Sequence, residues 1–83
     1  MLELVWRKSK DQESESLYIL TPLRPYKKVA TVWNNGTWHT WHPVTGNGGE
    51  NAVATNQPDA KTMALGSVIE QGFMVGEITV SEL

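Results

Sequence analysis

Residues 29–42 read V-A-T-V-W-N-N-G-T-W-H-T-W-H, and three of the chain's four tryptophans fall within this stretch. Asn35-Gly36 sits between two runs of β-formers. Asn-Gly is the strongest short-range hairpin signal, because a type I′ turn needs positive φ at both central residues. The stretch therefore predicts antiparallel strands over Val29–Trp33 and Trp38–His42. A two-residue loop places Trp33 opposite Trp38, Val32 opposite His39, Thr31 opposite Thr40 and Ala30 opposite Trp41. A three-residue loop with Gly36 in a G1 bulge shifts these partners by one. In both registers Trp38 and Trp41 point to opposite faces, since side chains alternate along a strand. One tryptophan is thus expected in the core and another at a partner surface or beneath a loop.

On the N-terminal side, Leu2, Leu4 and Trp6 alternate with Glu3, Val5 and Arg7, which reads as a strand with one apolar face. Residues 8–16, K-S-K-D-Q-E-S-E-S, are polar throughout and predict a solvated, mobile connection. A docking role for that charged segment is the alternative to a plain loop. Leu17–Leu20 reads as a second strand. It stops where Pro22 and Pro25 each remove a ladder donor. Arg24, Tyr26, Lys27 and Lys28 then form the one basic-aromatic cluster visible in sequence. Such a cluster could touch phosphates while Tyr26 stacks on a base. The plainer reading is a strand edge protected by lysine and proline.

On the C-terminal side, residues 43–57 read as a long Gly-rich loop folding back over the sheet, with Glu50 and Asn51 capping backbone groups. G-N-G-G-E-N is not a phosphate loop, because no Lys-Ser/Thr pair follows it. Thr55 and Asn56 are cap candidates for a helix. Pro58 fits its first turn, and Asp59 complements the positive helix end. Gly72 with Phe73 forms a candidate Schellman stop. Ala60, Met63, Ala64, Ser67, Val68 and Gln71 recur at helical spacing, with Leu65 and Ile69 widening the stripe. A last strand follows, with Ile78 and Val80 inward and Glu77 and Thr79 outward. The fold class is therefore α+β: two layers, an antiparallel sheet of about four to five strands, and one helix across one face.

An 83-residue chain supports one domain, residues 1–83, with one modest core. The net charge of −2 argues mildly against a general nucleic-acid binder. Zero cysteines exclude disulfides and thiolate metal sites. No apolar run approaches a membrane span, and the N-terminus lacks the order of a signal peptide, so a soluble intracellular protein is expected. His39 and His42 lie three positions apart on a strand and face opposite ways. With Glu50 they are the only nominees for metal or acid-base chemistry. Neither catalytic residues, metal nor cofactor are expected.

V-W-N-N-G-T-W-H-T-W, followed by G-x-G-G-E-N-A and a helix with A-K-x-x-A ending Q-G-F, resembles a family of small bacteriophage and prophage proteins. The similarity covers roughly residues 29–73. In that family a Gly-rich turn follows the third tryptophan closely, whereas here Pro43 and Val44 intervene. The resemblance implies an accessory role in a bacterial host cytoplasm and no catalytic residues. Binding is the expected mode of action, with occlusion of a host or defence protein as the subtype the resemblance implies. One helix leaves the second sheet face uncovered, so a homodimer through the sheet or its edge is a further expectation. The expected contact residues are those of Trp33, Trp38 and Trp41 not used by the core, with Arg24, Tyr26, Lys27 and Lys28 at the rim. The second reading is a nucleic-acid module whose sheet aromatics stack single-stranded bases.

Overall fold

Residues 29–42 form their hairpin in the three-residue-loop register. The computed structural model describes residues 2–20, 27–42, 45–72 and 78–82. Within it, strands β3 (Lys27–Trp33) and β4 (Thr37–Trp41) pair Ala30 with Thr40, Thr31 with His39 and Val32 with Trp38. The pairing of Trp33 with Trp38 is thereby corrected. Asn34, Asn35 and Gly36 make the loop, with Gly36 at φ +93°. The Gly36 N–H donates to the Trp33 carbonyl at 3.0 Å, and the Asn35 side chain accepts from Thr37 N–H at 3.0 Å. Gly36 is also pressed against the chain entering the helix. A Cβ there would lie 2.3 Å from the Ala54 carbonyl oxygen, so only glycine suits both the φ and the contact.

Strands β1 (Leu2–Lys8), β2 (Ser14–Leu20), β3, β4 and β5 (Gly48–Val53) form an antiparallel meander. Helix α1 (Gln57–Gly72) then crosses the sheet, and β6 (Ile78–Glu82) pairs with β1. The sheet order is β5-β4-β3-β2-β1-β6. The α+β class and the single helix across one face are as predicted. The sheet is six-stranded and mixed, however, rather than four- to five-stranded and antiparallel. One added strand, β5, lies inside the segment read as a loop. The parallel pair arises because the helix reverses the direction set by β5, so β6 runs the same way as β1.

The core lies between sheet and helix. Leu4, Trp6, Leu17, Ile19, Val29, Ala30, Val32 and Trp38 meet Ala60, Ala64 and Val68 of α1. Each large side chain buried here contributes roughly 1.5–3 kcal/mol, and the small helix residues let the helix axis approach the sheet. Met63, predicted inward, is 52% exposed. It stands at the edge of a stripe that alanines, Ser67 and Val68 suffice to fill. Asn56 caps the helix. Its side-chain oxygen accepts from Asp59 N–H at 2.9 Å, and its carbonyl accepts the first helical bond, from Ala60. The proposed stop at Phe73 lies outside the described residues.

Candidate functional site

Alternation leaves the second face of the sheet to Glu3, Val5 and Arg7 of β1, Ser16 and Tyr18 of β2, Thr31 and Trp33 of β3, and His39 and Trp41 of β4, with Glu3 outside the recess described next. No described element packs on it. The surface sinks into a shallow recess of about 610 Å³ that also takes in Lys8, Ser9, Lys10, Ser14 and Lys28. Four of the chain's seven cations line it, and none of the lining residues is a carboxylate. In a chain of net charge −2 this is a marked segregation of charge.

A bulge brings Lys28 to this face. Leu17 pairs with Ala30 but Tyr18 pairs with Lys28, so Val29 is an extra residue in β3. In an unbroken ladder Lys28 would share the helix face with Ala30. The extra residue flips it to the open face and leaves Val29 fully buried. Lys28 Nζ stands 6.0 Å from the centre of the Tyr18 ring, within cation-π range.

The turn after β1 places Lys10, whereas Lys8 closes β1 opposite Glu15 and alternates to the helix side. Residues 8–16 are not one solvated connection, because β2 begins at Ser14 and the intervening turn is closed by hydrogen bonds. Ser9 N–H donates to the Ser14 carbonyl at 2.9 Å, and Ser9 Oγ donates to Asp11 Oδ1 at 2.5 Å. Asp11 also accepts from Glu13 N–H, and these bonds, the Ser9 hydroxyl foremost, hold its carboxyl below the usual range. Asn34 ties the turn to the neighbouring hairpin, donating its backbone N–H to the Glu13 carbonyl and its side-chain amide to Gln12. The cation of the turn therefore stands beside Trp33.

Between the rings lies a floor of hydroxyls. Ser16 Oγ and Thr31 Oγ1 are 3.0 Å apart and share a buried hydrogen bond. On β4, His39 and Trp41 meet edge to face, with centroids 4.5 Å apart.

The structure separates the residues nominated from sequence. Trp33, 39% exposed, and half-buried Trp41 lie on the open face with exposed Lys28. Trp38 belongs to the core at 5% exposure and leaves the set of contact residues. Lys27 opens β3 opposite Ile19, a core residue, so it is aligned with the helix face. Arg24 and Tyr26 lie outside the described residues. Sequence reasoning missed Arg7, Lys10, Tyr18 and His39 as members of this face. Arg7 carried a signal, since it alternates with Leu4 and Trp6. The others depend on the β1–β2 register and on the bulge.

His39, His42 and Glu50 are not brought together. His42 Nδ1 accepts from Thr45 N–H at 3.2 Å within a turn. Glu50 is on the helix face, where Ser67 Oγ donates to it at 2.8 Å, while Asn51 is the residue opposite His39. Among the described residues no group of three or more His, Asp or Glu could hold a metal ion, and no described helix is long and apolar enough to cross a membrane.

The helix side carries its own charge cluster. Lys61 Nζ pairs with Glu15 at 3.3 Å and with Glu82, and it stands 4.9 Å from the centre of the Trp6 ring. The hydrogen bond and charge of Lys61 hold the Glu82 carboxyl below the usual range.

No family model matches the chain, and neither curated proteins nor solved structures provide a match.

Proposed function

We propose that this protein works by binding rather than by catalysis, and that its partner sits on the open face of the sheet. What supports this is one gathering of side chains: Tyr18, Trp33 and Trp41 with Arg7, Lys10 and Lys28 on a surface that no described element covers. Aromatic and arginine side chains are those on which binding energy concentrates, and a folded chain rarely leaves such a set on one face without a use for it. The separation of His39, His42 and Glu50 favours the same reading. The resemblance of the Trp hairpin and G-G-E-N segment to phage proteins supports an accessory role in a bacterial host cytoplasm. Occlusion of a host or defence factor is the form that role takes in this proposal.

Affinity capture from host lysate tests it, with the tagged protein compared with its Trp33→Ala/Trp41→Ala double variant, before and after nuclease treatment. A species retained by the parent and lost by the variant is the expected result. Identical recovery by both would remove the open face from the function.

A further inference from the structure

Resting on the part of that reading that makes the open face the binding surface, and taking nucleic acid rather than a host protein as its occupant, we infer that the open face takes single-stranded nucleic acid. The argument begins with register. Arg7, Ser16, Thr31 and His39 are successive cross-strand neighbours, so they form one row running across the strands. The middle of that row is small and hydroxylic, and the Ser16–Thr31 hydrogen bond holds it flat. Two residues further along the strands on one side stands Trp33, beside the turn that carries Lys10. Two residues along on the other side stands Tyr18 with Lys28 over it. Neighbouring rows are roughly 6.5–7 Å apart along a strand. The result is a trough with a hydroxyl floor, a ring and a cation on each rim, and Arg7 at one end.

That alternation matches a polymer whose repeat is a planar ring and a phosphate. Every base offers a π-face to an aromatic rim, and every phosphate calls for a cation. A duplex hides its base faces in its own stack and would use the cations alone. An acidic protein segment would satisfy the cations and leave the paired rings without flat partners. The absence of any carboxylate from the lining removes the repulsion that phosphates would otherwise meet. A groove of this kind, stacking bases without reading their edges, binds with little sequence preference.

Fluorescence anisotropy with labelled oligothymidylate and oligouridylate of about sixteen nucleotides, and with a duplex of the same length, tests this. The single strand is expected to bind more tightly than the duplex. Three phosphate contacts, from Arg7, Lys10 and Lys28, predict a log–log salt slope of about −2. Lys10→Ala with Lys28→Ala is expected to reduce that slope to about a third. Trp33→Ala is expected to weaken binding about tenfold, the loss of one stacked base, with Trp33→Phe restoring most of it. Because Trp33 is 39% exposed and outside the core, its truncation leaves the fold standing, which a thermal melt verifies. Equal affinity for duplex, or indifference of the single strand to Trp33→Ala, would overturn the inference. If no oligonucleotide binds while lysate capture still requires Trp33 and Trp41, the face takes an acidic protein and only this inference fails. If capture is also indifferent to those residues, the reading beneath it fails as well.

Discussion

Trp38 and Trp41 sit on the same strand three residues apart, and they illustrate how differently the two faces of this sheet are finished. Trp38 is closed in by a helix whose alanines let it come near. Trp41 is left half-buried against His39 on a face that no described element covers. Charge follows the same division. The helix face holds Glu15 and Glu82 on Lys61 and Glu50 on Ser67, each partnered within the fold. The open face holds Arg7, Lys10 and Lys28 with no carboxylate beside them in the recess. One face sets its carboxylates on Lys61 and Ser67, and the other gathers cations around a recess lined by none.

The largest test of that division is truncation of each tryptophan. Trp38→Ala is expected to cost about 3–5 kcal/mol, which at about 4–8 °C per kcal/mol for a domain of this size removes most of the folding transition. Trp41→Ala is expected to cost about 1 kcal/mol, near the range of surface changes. Urea titration of both variants measures the gap, and equal losses would mean that the open face is a second core.

The hydroxyl floor gives a smaller effect. Ser16→Ala or Thr31→Val alone leaves a buried partner unsatisfied and is expected to cost about 1–2 kcal/mol, whereas the double change is nearly neutral. A double-mutant cycle showing simple additivity would mean that the two hydroxyls are solvated rather than paired.

The smallest effect separates the faces by pH. Glu82 has a folded-state pKa below its ordinary 4.5 because of Lys61. Its contribution is therefore present above that ordinary value and is lost as pH falls through the lowered one. The urea midpoint should drop in this acid window, and Lys61→Met should flatten the drop. An unchanged acid limb in that variant would place the sensitivity elsewhere.

Much of this architecture was legible in the chain because local chemistry dictates it. Asn35-Gly36 required a turn, Leu4 and Trp6 required a one-sided strand, and Asn56 with Asp59 marked the helix start. The hairpin register was open because a type I turn closed by Gly36 competes with a type I′ turn and both use a glycine at positive φ. Strand β5 was hidden because G-G-E-N-A-V has no alternation and is exposed along its length. It is a strand by virtue of its backbone pairing with β4. The candidate site was half legible. Trp33, Trp41 and Lys28 were named from sequence, but Lys28 reaches the open face only through the bulge at Val29, which no local pattern announces. Lys10 joins them through hydrogen bonds between two turns that are distant in sequence.

The pairing of β6 with β1 has a consequence for how the molecule is assembled. The meander can grow from contacts between neighbours, each strand closing on the one before it. Leu2 opposite Ile78 and Trp6 opposite Glu82 join segments separated by nearly the whole chain. The entropy of closing so long a loop must be met before those contacts return anything, and it grows only slowly with length. Non-local pairing of this kind sets the pace of folding. The edge strand beside Trp6 is thus the slow seam of the sheet, and Lys61, reaching from the helix to both Glu15 and Glu82, fastens it.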